Sequence, residues 1–325
     1  MLDAERRISQ RASERFDYPR RVMPEPALPR APVRTVFDME TKDPDDMLTL
    51  CLLATHPAVD LAAVTVTPGT PQQVAVVREV LRRLERSVPV GARDATSKAD
   101  AVSAFHPAWL GPLPDASADG VAHELLASAL AEAGTVLLTG APLHNLRLLL
   151  REHPALAIGR WVAQGGFAGD NLVAPELRLA KFAGRTTCES FNFGGDKKGT
   201  LAALASPQIA QRDLVSKNVT HGFAWGPELQ ARLVATADLH PGAALACEAM
   251  AVYLVEHPEG KLLHDPLAAC AVLDRDAFSW EEVEVVYERG QWGARAASGT
   301  GTFITVAVDR ARAEAALFAR RTRPG

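Results

Sequence analysis

The segment Val36-Phe37-Asp38-Met39-Glu40-Thr41-Lys42-Asp43-Pro44-Asp45-Asp46 constrains this chain more than any other. An apolar run from Val33 to Phe37 leads into it, and Met47-Leu48-Thr49-Leu50-Cys51-Leu52-Leu53 follows. The pattern reads as strand, acidic turn, helix. Asp38, Glu40, Asp43, Asp45 and Asp46 would repel one another if packed at the end of a strand without a cation. A hard cation resolves the conflict, and calcium, with roughly 6–8 oxygen ligands and tolerance of irregular geometry, suits it. The plainer alternative is a solvated loop whose aspartates cap the next helix and favour its dipole.

The downstream pattern repeats strand and helix. Leu61 to Thr67 reads as a buried strand stopped by Pro68-Gly69. Gln72 to Arg86 has helical spacing through Val74, Val77, Val80, Leu81 and Leu84. Val88 to Gly91 is a short strand, Val121 to Glu132 a helix, Thr135 to Gly140 a strand that stops abruptly, and Leu143 to Arg151 a helix. Arg160 to Gly166 is a strand ending in paired glycines. Residues 94–120 are loop-like. Further on, Asp213 to Thr220 reads as strand into turn, Gly226 to Ala235 and Ala243 to Leu254 as helices, and His264-Asp265-Pro266 as a turn opening an apolar helix. Val283 to Tyr287 and Gly301 to Val308 form a terminal β pair, and Ala311 to Arg320 a last helix. The expectation is one α/β domain over residues 33–325, with a mostly parallel open sheet and helices on both faces, preceded by an arm at residues 1–32. In such sheets ligands sit beyond the carboxyl ends of the strands, which is where the acidic turn falls.

Composition removes other classes. A net charge of −4 gives no bulk attraction for nucleic acid. Cys51, Cys188, Cys247 and Cys270 are too dispersed for a zinc motif or a disulfide frame and suit a reducing cytoplasm. No apolar run approaches the roughly 18 residues of a membrane span.

Several segments then occur in a family's order: the acidic turn, Val66-Thr67-Pro68-Gly69-Thr70, Leu138-Thr139-Gly140-Ala141-Pro142-Leu143-His144-Asn145, Gln164-Gly165-Gly166, Glu189-Ser190-Phe191-Asn192, Asn218-Val219-Thr220-His221 and His264-Asp265-Pro266-Leu267-Ala268. From about Val33 to about Arg320 the chain resembles the inosine-uridine-type nucleoside hydrolases, calcium-dependent N-ribohydrolases that act on small-molecule nucleosides and assemble as homodimers or homotetramers. The resemblance implies Glu40, Asp46, Asp265 and the carbonyl of Thr139 as calcium ligands. It implies Glu40 or Asp45 as base toward water, Asp45 and Asn192 as holders of the ribose hydroxyls, and His264 as acid toward the leaving base. Thr70, Gln164, Asn171 and Glu189 fall at or beside the remaining substrate-binding positions. His221 reads as structural first and base-contacting second.

The chain departs from the family turn, Asp-x-Asp-Pro-Gly-x-Asp-Asp. Glu40 replaces the second acid, and one extra residue precedes the final pair. Gln164 replaces a methionine, Thr70 an asparagine, and Ser190 separates Glu189 from Phe191. The sugar-facing wall is therefore rebuilt. Three readings stand at this point: a nucleosidase, a hydrolase of another ribosyl compound, and a sugar- or metal-binding relative without turnover.

Overall fold

The computed structural model describes residues 31–236 and 238–319. Nearly all of the expected N-terminal arm lies outside the described residues. The strands are β1 (Val33–Met39), β2 (Val59–Val66), β3 (Val90–Ala92), β4 (Gly120–Val121), β5 (Val136–Thr139), β6 (Ile158–Gln164), β7 (Thr187–Cys188), β8 (Ile209–Val215), β9 (Ala224–Trp225), β10 (Lys261–Leu262), β11 (Phe278–Glu288), β12 (Gln291–Ala296) and β13 (Thr302–Val308). All but β9 and β10 join one sheet in the order β4-β3-β2-β1-β5-β6-β8-β13-β11-β12-β7. Pairings from β4 through β13 are parallel, and those from β13 to β7 are antiparallel. β9 and β10 pair separately.

The β1 sequence explains its central place. Phe37 and Met39 enter the apolar core on one face of the sheet and Val36 the core on the other, so both faces are covered. From β1 the chain builds outward to β4 in one direction. It then returns to the other side of β1 with β5 and builds outward again. β1 and β5 therefore flank the switch point of the sheet, where a crevice opens beyond the strand ends. Asp38 pairs in register with Thr139 at that point.

The helix Pro44–Ala54 begins directly after β1, with Pro44 in its first turn, where a missing N–H is no loss. It is buried along nearly its whole length. The helices Pro241–Glu256 and His264–Leu273 pack against it, and the latter is likewise buried all round. Helices Ala122–Leu130 and His144–Glu152 cover the opposite face. The periodic segments read from sequence match these elements to within a few residues at their ends. The differences lie at the margins. Residues 94–120 contain a short helix, Phe105–Leu110, and Lys197–Ala205 is a helix where the pattern was indistinct. The terminal β pair, β11 and β13, is part of a longer antiparallel edge that continues through β12 to β7.

Candidate active site

Asp45 and Asp46 stand in the first turn of helix Pro44–Ala54, and Asp265 stands in the first turn of helix His264–Leu273. Each offers one carboxylate oxygen, and these oxygens lie within 4.8 Å of one another. Both helices thus point the positive ends of their dipoles at the cluster, which eases its negative charge. Asp43, at the cap position, makes no side-chain capping bond, so the capping alternative for the acidic turn does not describe it.

The oxygens are held individually. Asp45 is 1% exposed. Its Oδ2 accepts the backbone N–H groups of His264 (2.9 Å) and Asp265 (3.2 Å). Its Oδ1 lies 3.3 Å from the Lys261 ammonium, which also meets Asp43 Oδ1 at 2.5 Å. Asp46 Oδ1 accepts the Glu40 N–H at 3.1 Å. Asp265 Oδ1 is buried without any hydrogen-bond partner. A Cβ added to Gly140 would fall 2.7 Å from that oxygen and 3.3 Å from Asp46 Oδ1. An unpartnered buried oxygen, converging acids and a residue with no side chain directly beside them make a cradle fitted to a hard cation.

Electrostatics agree. Burial, reinforced by Asp43 and Asp45, raises Glu40 to about 7. Burial, reinforced by the neighbouring acids, raises Asp46 and Asp265 well above the usual carboxylate range. Asp38, behind the turn, accepts from the Thr65 hydroxyl and the Asn145 amide at 2.7 Å each, and burial lifts it to about 6. Burial lowers His264 to about 4, so a neutral imidazole occupies that place at pH 7.

A cavity of about 360 Å³ opens over these groups, lined among others by Glu40, Asp46, Gln164, Phe191, Lys217, His221 and His264. A larger groove, about 720 Å³, runs past Arg78 and Asp115, away from the carboxylates. Asn192 Nδ2 donates to the carbonyl of Gly140 (3.0 Å) and to Gln164 Oε1 (2.8 Å), so the altered wall residue Gln164 orients the amide. The Thr139 hydroxyl accepts from Trp161 Nε1, which leaves a ligand role there to its backbone.

Three expected substrate contacts do not line this cavity. Thr70 caps helix Pro71–Arg83 in a reciprocal pair with Gln73. Asn171 donates to the carbonyl of Ala294 in β12. Glu189 is exposed, and its carbonyl accepts from Lys217. Sequence reasoning missed Lys261, Lys217 and Gly140, because a lone lysine or glycine carries no spacing signal. Phe223, Trp225 and Trp109 are buried in the core.

A family model described as inosine-uridine preferring nucleoside hydrolase matches residues 35–315. An Aquifex aeolicus (strain VF5) protein, described only as uncharacterized, is 29% identical over 291 residues, 87% of this chain and 96% of its own length. Among solved structures, a plant nucleoside hydrolase aligns with a TM-score of 0.69 at 20% identity, covering 90% of this chain and all of its own. An inosine-uridine preferring nucleoside hydrolase from Bacillus anthracis gives 0.63 at 19%, covering 87% and 97%. A purine-preferring ribonucleoside hydrolase from Gardnerella vaginalis gives 0.62 at 18%, covering 87% and 96%. At such identities the structural likeness speaks for the fold alone.

Proposed function

The chain belongs to the inosine-uridine preferring nucleoside hydrolase family, and from that premise we propose that it hydrolyses the N-glycosidic bond of a ribonucleoside or modified nucleoside to ribose and free base. The observation that carries the reading is the convergence of Asp45, Asp46 and Asp265 at the sheet's switch point with His264 beside them. Asp46, Asp265, Glu40 and the Thr139 carbonyl would hold a calcium ion. When bound, that ion would neutralise the cluster and polarise a water.

Water adds to the anomeric carbon as the bond to the base nitrogen breaks, its electron pair leaving with the base. Glu40, which lines the cavity, takes the proton of the water as a carboxylate general base. Asp45 is less suited to that step, since both its oxygens already meet donors, the backbone amides of His264 and Asp265 and the Lys261 ammonium. Asp45 instead grips the ribose diol together with Asn192, whose Oδ1 remains available. The surrounding carboxylates stabilise the positive charge that develops on the sugar. His264 touches Thr220 Oγ1 through Nδ1 (2.8 Å). With the hydroxyl donating, Nε2 keeps its proton and steadies the departing base nitrogen with a hydrogen bond, the base taking its own proton from solvent on release. Gln164 and Phe191, which is 69% exposed at the cavity, favour a modified ribosyl compound as the second reading.

Four buried, unpaired cysteines support a cytoplasmic enzyme. A homodimer or homotetramer is the assembly we expect, to be measured by light scattering. Among the described residues, no helix is long and apolar enough to cross a membrane.

The decisive experiment is release of free base and reducing sugar from a nucleoside panel, with calcium and with chelator. Asp46→Ala should lose calcium binding and turnover together. No release from any riboside, or release untouched by Asp46→Ala, would refute the proposal.

A further inference from the structure

The cavity has two oppositely charged sides. Its floor is the carboxylate cluster. On another side stands Lys217, whose ammonium donates to the Glu189 carbonyl at 2.8 Å and lies 3.8 Å from the Cys188 thiol. Beside it, Lys181 Nζ donates to His221 Nδ1 at 2.6 Å and sits 5.2 Å over the Phe182 ring. A carbonyl, a thiol, an imidazole and an aromatic face are all uncharged partners. Among the described residues neither ammonium is paired with a carboxylate, whereas Lys42 holds Asp100 at 2.8 Å and Lys261 holds Asp43. Lys217 therefore lines the cavity without a carboxylate partner, and Lys181 stands outside it behind His221, which lines it too. Burial chiefly, with His264 and the lysines adding to it, depresses His221 to about 3.

His221 and His264 meet edge to face, with ring centroids 4.8 Å apart. The positive wall thus lies at the His264 end of the cavity. On the reading that His264 serves the departing base, this is the leaving-group end. A neutral base entering there would strip water from the Lys217 ammonium and return nothing for it. An anion would pair with Lys217 and come within the field of Lys181, and the acidic floor would repel it unless such a wall were present.

We propose that the substrate is an N-riboside whose leaving heterocycle carries an anionic substituent, a ring carboxylate, held by Lys217 within the field of Lys181. The proposal rests on the hydrolase reading for the orientation of the substrate, so its test is made separable from turnover.

Calorimetry on the full chain with calcium compares free orotate with free uracil, which differ by one carboxylate, and nicotinate with nicotinamide. The carboxylates should bind at least about tenfold more tightly. The advantage should fall to within about twofold in Lys181→Met/Lys217→Met and persist in Lys217→Arg, which keeps the charge. The ratio of kcat/KM for orotidine over uridine should fall in the same double variant. Orotate binding no tighter than uracil, or an advantage that survives the double variant, overturns the proposal. So does a preference for uridine 5′-phosphate over uridine without one for orotidine. Tight orotate binding with no turnover of any riboside would sustain this inference and sink the hydrolase reading instead. Equal turnover of orotidine and uridine would do the reverse.

Discussion

Replacing Lys261 by methionine keeps most of the side chain's apolar length and removes its charge from the acidic cluster. Asp43 is 46% exposed on its side chain, so its pair with Lys261 is screened and contributes little. The Asp45 pair matters, because that carboxylate is 2% exposed and the lysine 9%. At 3.3 Å and an effective dielectric near 20, the attraction is about 5 kcal/mol, part of it offset by desolvation. Removing one partner strands a buried charge, which typically costs about 3–5 kcal/mol. We take about 3 kcal/mol, since two backbone amides still serve Asp45. Lys261→Met should therefore unfold at lower urea with an unchanged slope, and melt roughly 4 °C lower, in chelator. Calcium should then bind the variant about tenfold more tightly, because a competing cation has left the cluster, and the stability gap should close as calcium is added. Urea titrations with and without calcium, together with calorimetry of calcium binding, read both effects. Stability within about 0.5 kcal/mol of the parent in chelator, or weaker calcium binding, would refute the reasoning.

Three further outcomes follow from the same geometry. Gly140→Ala should weaken calcium affinity by about 100-fold while costing about 1–3 kcal/mol of stability, since its methyl group meets Asp265 Oδ1 at 2.7 Å; parent-like affinity in a calcium titration would remove the cradle. His264→Ala should slow ribosides with poor leaving groups far more than an activated nitrophenyl riboside, and equal losses in kcat on both would take His264 out of the leaving-group role. Burial lowers His56 and His240, which pack edge to face, to about 4 and about 3 in the folded chain, below the ordinary 6.5. Because unfolding lets each take up a proton, their contribution falls as pH drops below 6.5, by roughly 2–3 kcal/mol per histidine at pH 4.5; His56→Asn should flatten the acid limb of the stability curve by one such share, read by urea midpoints at each pH.

The parts of the site that sequence reasoning reached are those carried by local pattern. Asp45-Asp46 after Pro44 and Asp265 after His264 each open an apolar helix, and strand–helix alternation places such openings at one rim of the sheet. Side-chain direction was not legible. Thr70 reads equally well as a sugar contact or a cap, and only the reach of Gln73 back to it decides for the cap. Asn171 and Glu189 turn toward β12 and solvent because the long segment before Phe191 runs over the β7–β12 edge. That edge was half hidden too. β11 and β12 are joined by Arg289-Gly290, with φ of 51° and 86°, a two-residue reversal usually signalled by Asn-Gly, and arginine in the first place masks it. Lys261 was invisible because its meaning comes from Asp45, more than two hundred residues earlier in the chain.

That separation has a consequence for how the protein matures. The amides that fix Asp45 belong to residues 219 and 220 positions later. During synthesis the early acids thus emerge long before their partners, and they stay apart from the third carboxylate until most of the sheet has been built. Mutual repulsion is deferred until helix His264–Leu273 docks. An ion held there needs segments more than two hundred residues apart, so its binding reports long-range assembly rather than a local loop.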